Sequence, residues 1–163
     1  YIFTVVRNPW QRVVSMYHWY NFYCSFRHFV LHILSRHLWY SHYWFVQPQT
    51  EFLRYNDAML AVDDIYYLEH LDRDIPELAE KTGLRSPIEH INKRRIQPFG
   101  QALHKRLVTL KRGIKQGNLT FIKASISSKE WHDNWQDYYD AETWTKIGAL
   151  YERDVILLGY SFE

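Results

Sequence analysis

The first nine residues join two different backbone states, and that join limits the fold more than any other part of the chain. Ile2, Phe3, Val5 and Val6 form an apolar, largely β-branched run that predicts a buried strand. Asn8 and Pro9 follow at once. An Asn side chain accepts from the unpaired amides of a first helical turn, and proline suits the first helical position, which needs no N–H. The pair therefore predicts a helix opening at Pro9. Arg7 falls at the carboxyl end of the strand, against a helix N-terminus whose unpaired amides favour an anion. Open α/β sheets bind phosphates at that place.

Ser15 lies eight residues after Arg7, almost two turns into the predicted helix. At about 3.6 residues per turn it shares a face with Asn8, Gln11, Trp19 and Phe22, while Val13, Tyr17 and Tyr20 point the other way. One face can bury on a sheet while the other meets a ligand. A planar guanidinium and a hydroxyl converging on one point suit a phosphate. The same residues also describe an ordinary capped turn carrying a surface Arg and Ser.

Farther along, Ser25 to Trp39 places Phe26, Phe29, Val30, Ile33, Leu34 and Leu38 at helical spacing, which predicts an amphipathic helix beside the first. His28 and His32 are four apart on it, a spacing that two metal ligands can share, but no third ligand follows at usable spacing. Gln47-Pro48-Gln49 breaks the helix, with loop and short helix expected over Thr50 to Leu60. Asp64 to Glu69 reads as a second strand. A helix follows from about Asp74 to Lys81, with Pro76 in its first turn and Gly83 as its stop. Ser127 and Glu130 have capping-box spacing and predict a helix through Trp131, Trp135 and Tyr138. Asp140 should cap a last helix bearing Trp144, Ile147, Tyr151, Val155 and Leu158, ended by Gly159. Strand, turn and helix recur, so the fold class is α/β, mostly helical with a few parallel strands.

Charge is unevenly distributed. From His90 to Lys129 there are ten Lys or Arg and no Asp or Glu, which leaves the remaining chain at net −8 although the whole is +2. Within that stretch, Gln101 to Gln116 sets Leu103, Leu107, Leu110 and Ile114 on one helical face among Lys105, Arg106, Lys111, Arg112 and Lys115, with Gly117 as a stop. Its leucines either cover the core or leave a basic amphipathic surface for an anionic polymer or a membrane face. Aromatic residues make up 18% of the chain, with 13 Tyr and 7 Trp, and core packing is their expected role. The single cysteine, Cys24, excludes an internal disulfide framework and any multi-cysteine zinc site, and fits a reducing compartment. No run of about 18 apolar residues is present, so no membrane span is expected in this sequence.

The motif V-V-R-N-P-W-x-R-V-V-S-M-Y, Val5 to Tyr17, resembles the 3′-phosphate-binding segment of sulfotransferases, which use 3′-phosphoadenosine 5′-phosphosulfate (PAPS) as donor. Tyr138 to Phe162, Y-Y-D-A-E-T-W-x-K-I-x-x-L-Y-E-R-D-V-x-L-L-G-Y-S-F, resembles the C-terminal signature of the same family. Between them, P-Q-x-x-F-L from Pro48 to Leu53 and a strand ending in Glu69 resemble the carbohydrate-type members.

The resemblance implies a three-layer, P-loop-like sulfotransferase fold. It implies that Arg7 and Ser15 hold the donor's 3′-phosphate, with Asn8 and Arg12 of the same motif as secondary candidates. Asn92 joins them, because Ile88 to Asn92 resembles the segment after which those enzymes reach the nucleotide from its other side. PAPS would be the co-substrate, with no metal, and the acceptor a hydroxyl or amine, such as a carbohydrate or an acidic glycan; nucleic acid is not the expected partner. Glu69 would orient a substrate hydroxyl or enter a structural ion pair.

The sequence departs from the family between Lys93 and Gln136, where a basic insertion replaces a shorter connection. It also shows no strand–glycine loop–helix of the kind that holds the 5′-phosphosulfate. The catalytic base is unassigned; His18, His42, His70 and His90 are available, but related enzymes place it before the Arg7-type strand. The chain starts with Tyr, and directly in a strand. The expectation is the C-terminal part of one sulfotransferase domain, inactive alone, cytoplasmic, or in the Golgi lumen if an anchor lies upstream. Two other readings keep part of this: a phosphate-binding kinase or nucleotide hydrolase, which needs a P-loop this sequence does not show, and a non-catalytic module gripping an acidic polymer through residues 90–129.

Overall fold

A computed structural model describes residues 1–20, 22, 24–53, 62–83, 107–108, 110–111, 113–117, 119, 122 and 129–162. Strand β1 (Phe3–Val6) pairs in parallel with β2 (Asp64–Tyr67), Phe3 opposite Asp64 and Val6 opposite Tyr67. Helix α1 (Pro9–Trp19) leaves β1 through a two-residue turn. Asn8 caps it, its Oδ1 accepting from the amides of Trp10 and Gln11 at 3.0 and 3.3 Å, and Pro9 occupies the first helical position as expected. The class is mixed α/β, mostly helical with two parallel strands among the described residues.

The strand is less buried than its composition predicts. Side chains alternate across a strand, and only the face carrying Val6 is covered, by Leu53 and Leu158. Phe3 and Val5 face the other way and stay exposed, as does Ile2 ahead of them. Among the described residues nothing packs a layer over that side, which is why an apolar run need not mean a buried one.

The helical expectation over Ser25 to Trp39 holds for the buried face and changes in pitch. Helix α2 (Phe26–His28), capped by Ser25, passes into a π-helix (Phe29–Leu38) and then α3 (Trp39–Ser41). Phe26, Phe29, Val30, Ile33, Leu34 and Leu38 are all buried. They recur at separations of three, four and five residues along one face, which a wider turn satisfies as well as an α-helix does. Helix α4 (Tyr43–Val46) ends before Pro48, and a 3₁₀ turn (Gln49–Phe52) follows; residues 54–61 lie outside the described set.

After β2 comes a 3₁₀ turn (Leu68–His70) and helix α5 (Leu71–Thr82), which begins three residues before the expected start, so Pro76 lies inside it and not in its first turn. Gly83 ends it at φ 70°, a left-handed backbone that favours glycine. Lys81 ties α5 to β2 through Asp64 at 2.8 Å.

Ser127 lies outside the described residues; residues 129–132 are irregular, and between 129 and 140 the described helical residues are a 3₁₀ turn, Gln136–Tyr138, where the sequence predicts a helix through Trp131, Trp135 and Tyr138. Tertiary bonds win over the local cap. Glu130 accepts from the Phe26 amide at 3.2 Å, and its own amide donates to Tyr17 Oη at 2.8 Å. Lys129 donates to the carbonyls of His18 and Tyr20 at the end of α1, at 3.1 and 2.7 Å, satisfying groups a helix terminus leaves open.

The last helix is as expected, with a break. Asp140 and Thr143 form a capping box for α6 (Ala141–Leu150), Tyr151 interrupts, and α7 (Glu152–Leu157) runs to Gly159, at φ 67°. Ile147 and Tyr151 are fully buried against Tyr17, Phe26, Phe29 and Tyr138, an aromatic cluster built from all parts of the chain. That is the core role expected of the aromatics. Cys24 is buried in the same cluster, and burial pushes its thiol up to about 12.

The basic segment behaves otherwise. Its described residues from 107 to 115 are helical, and Gly117 follows at φ 61° as the expected stop. Yet Leu107 is 49% and Ile114 62% exposed, and Val108 and Leu119 are exposed too. These apolar side chains do not cover the core; Leu103, Lys105, Arg106 and Arg112 lie outside the described residues.

Candidate functional site

Arg7 stands immediately after β1, half-buried, and both its backbone and its side chain are held. Gln49 Oε1 accepts from the Arg7 amide at 2.9 Å, while Gln49 Nε2 donates to the Arg7 carbonyl at 2.7 Å. The guanidinium Nε donates to Gln11 Oε1 at 2.9 Å. Gln11 is four residues before Ser15 on α1, so the two are neighbours on one helix face. Ser15 and Trp19 are exposed and Val13 and Tyr17 buried, as the helical phase predicts. Phe22 is the exception: it is buried, because the chain has left α1 and turned inward. Arg7, Gln11 and Ser15 thus form one row along the open side of the turn.

The amides expected to greet an anion are already used. Asn8 Oδ1 takes those of Trp10 and Gln11, the Arg12 amide bonds the Asn8 carbonyl at 2.8 Å, and Glu69 Oε1 accepts from the Asn8 amide at 2.7 Å. Glu69 therefore serves this turn through a backbone N–H, with Tyr160 Oη as a second, longer partner at 3.4 Å, where the sequence suggested an ion pair or a substrate hydroxyl. An anion beside Arg7 meets side chains and the helix dipole.

Asn8 and Arg12 are committed internally. Asn8 is buried, and its Nδ2 donates to the Ser161 carbonyl at 2.9 Å. Arg12 donates to the carbonyls of Gln47 and Phe45 at 2.8 and 2.9 Å and lies over the Tyr151 ring. Burial lowers its guanidinium's affinity for a proton. Both residues brace the turn from behind. Asn92 lies outside the described residues.

Behind Gln49 is a fully buried carboxylate. Asp154 accepts from the amides of Gln49 and Thr50 at 2.7 and 2.9 Å and from the Thr50 hydroxyl at 2.9 Å. The two distant sequence motifs are packed together here. Besides Asn8–Ser161, Trp10 Nε1 donates to the Trp144 carbonyl at 3.1 Å, Tyr139 Oη donates to the Trp10 carbonyl at 2.8 Å, and Phe162 lies edge-on to Trp10. Sequence alone marks Gln11 only as a neighbour of Ser15 on one helix face, and gives Gln49 and Asp154 no role at the site. Only their places inside the motifs mark those two.

Of the histidines, His18 pairs through Nε2 with Tyr138 Oη at 2.9 Å and stacks on Trp131; His42 Nδ1 lies 2.8 Å from the Ser41 hydroxyl; His70 is exposed at the start of α5; His90 is outside the described residues. None of the described three is linked to Arg7 or Ser15 by these bonds. His28 and His32 rings lie 4.8 Å apart, but among the described residues no three His, Cys, Asp or Glu are grouped to hold a metal ion. No described helix is long and apolar enough to cross a membrane.

Over 97 residues the chain is 33% identical to an uncharacterized protein of Archaeoglobus fulgidus, a match covering 54% of this chain and 72% of that protein. The chain belongs to the family of that archaeal protein. No family model matches it, and no solved structure does.

Proposed function

We propose that this chain is the 3′-phosphate-binding part of a PAPS-dependent sulfotransferase, with the three-layer fold of that family and a hydroxyl- or amine-bearing acceptor, such as a carbohydrate. The observation that carries the reading is the packing of the two stretches that resemble sulfotransferases, residues 5–17 and 138–162, onto one another behind Arg7. The Arg7 guanidinium supplies charge and a planar donor fork, the Ser15 hydroxyl a further donor, and Gln11 fixes the near side of the guanidinium. The row grips the donor nucleotide; the sulfonyl group and its base lie elsewhere. In-line attack by the acceptor oxygen or nitrogen breaks the bond from sulfur to the bridging phosphate oxygen, and the 3′-phosphate contact holds the nucleotide still while it happens. The test is transfer of labelled sulfate from PAPS to a panel of hydroxyl and amine acceptors by protein made from the complete reading frame. Transfer abolished by Arg7→Ala supports the reading, and the absence of transfer to every acceptor opposes it.

A second reading has its own observation, the exposed Leu107, Val108, Ile114 and Leu119 beside exposed Lys111 and Lys115. The basic segment would bind an acidic polymer, as a substrate clamp or without catalysis. Polyanion binding that falls steeply with salt and ignores the donor nucleotide favours that module over the sulfotransferase.

A further inference from the structure

Arg7 lies one residue beyond the last ladder pair, Val6 opposite Tyr67, so β2 no longer fixes its backbone. The Gln49 side chain takes over. Its amide accepts from the Arg7 N–H at 2.9 Å and donates to the Arg7 C=O at 2.7 Å, the two bonds a neighbouring strand would exchange with it. Gln49 cannot drift, because Asp154 holds its own amide at 2.7 Å and the Thr50 amide and hydroxyl at 2.9 Å, with no exposed surface. Gln11 holds the other end, accepting from Nε at 2.9 Å one turn before Ser15. A guanidinium gives two parallel bonds to a phosphate only when its plane points at it, so what fixes the plane governs recognition.

We propose that Gln49 and Gln11 are positioning residues that aim Arg7 and thereby set the preference for a nucleotide bearing a 3′-phosphate; this rests on the donor-site reading of Arg7 and Ser15. Gln49 fixes where the side chain leaves the backbone, and Gln11 fixes the turn of its plane. Asp154 transmits the position of the C-terminal helix to Arg7 through Gln49. The prediction separates aim from charge: loss of either glutamine leaves Arg7 cationic but misdirected.

The test is calorimetric titration of the 163-residue chain, and of its Gln49→Met and Gln11→Met variants, with 3′-phosphoadenosine 5′-phosphate and with adenosine 5′-phosphate. Methionine keeps the side-chain length and removes both hydrogen-bonding groups. The wild type should prefer the 3′-phosphorylated nucleotide by about tenfold or more, and each variant should lose most of that preference through weaker binding of the 3′-phosphorylated nucleotide. A purely structural role would lower both affinities together. Retention of the wild-type preference by either variant, with a native near-ultraviolet circular dichroism spectrum, overturns the role of that glutamine. If Gln49→Met does not fold, Gln11→Met on the exposed side of α1 decides. A wild type without preference removes the donor-site reading itself, a result read before any variant is considered.

Discussion

The turn after β1 and the basic segment around Leu107 to Leu119 start from the same kind of sequence signal, an apolar stripe beside polar residues, and end in opposite states. At the turn, Val13, Val14 and Tyr17 are buried, and the backbone groups of Arg7, Asn8 and Trp10 are tied to Gln49, Glu69 and Tyr139, from the middle and the end of the chain. In the basic segment Leu107, Val108, Ile114 and Leu119 stand in solvent. The difference lies in what each stripe meets. Periodicity marks a face that could be buried; only a second element with a matching surface buries it. Around α1 that element is the π-helix and α6, which share one aromatic core with it. The energetic weight of the molecule should therefore lie at the turn, and substitution should reveal it.

The largest effect is expected at Asp154. Alanine there strands two buried donors, the amide and hydroxyl of Thr50, and the half-buried amide of Gln49, and each buried loss costs about 1–3 kcal/mol. Unfolding in urea should show a loss of about 3 kcal/mol or more; a loss under about 1 kcal/mol would mean the anchor is dispensable. Asn8→Ala comes next, removing the cap of α1 and the bond to Ser161, with about 1–2 kcal/mol expected from the same measurement.

A smaller effect depends on pH. The Thr143 amide, with the Thr143 hydroxyl and Arg27, holds the Asp140 carboxyl below its ordinary value. A carboxylate depressed in the folded state stabilises it above the unfolded group's titration range, and that contribution vanishes as pH falls through the folded value. The difference in melting temperature between the wild type and Asp140→Ala should be widest near neutrality and narrow in acid; a gap that is constant with pH would assign the cap no ionic part. Least of all, Leu107→Ala should move stability by no more than about 0.5 kcal/mol, as for any exposed side chain. A loss above about 2 kcal/mol would place that leucine in a core and erase the contrast between the two regions.

The pattern of what was legible follows from distance along the chain. Asn8 with Pro9, Asp140, Gly83 and Gly159 act on backbone within a few residues, so their caps and stops could be read directly. The parallel strands followed from the strand–helix rhythm. The helix expected through Trp131 and Trp135 does not form over residues 129–135, where Glu130 is claimed by Phe26 and Tyr17, far away in sequence. The exposure of Phe3 and Val5 could not be read either, since an apolar strand does not state how many strands flank it. At the site, Arg7 and Ser15 were marked by type and spacing. Gln49 and Asp154 were not, because a glutamine that stands in for a strand and a carboxylate that holds a turn have no local signature; Glu69 was marked at the strand end, but not for the Asn8 amide that it holds.

The central claim is that Arg7 and Ser15 recognise a 3′-phosphate. It is tested most directly by titrating the wild-type chain and its Arg7→Ala and Ser15→Ala variants with 3′-phosphoadenosine 5′-phosphate against adenosine 5′-phosphate. Charged hydrogen bonds to a phosphate contribute about 1.5–3 kcal/mol, so Arg7→Ala should weaken binding of the 3′-phosphorylated nucleotide by about tenfold or more, and Ser15→Ala by less. Equal affinity of the wild type for the two nucleotides would contradict the account.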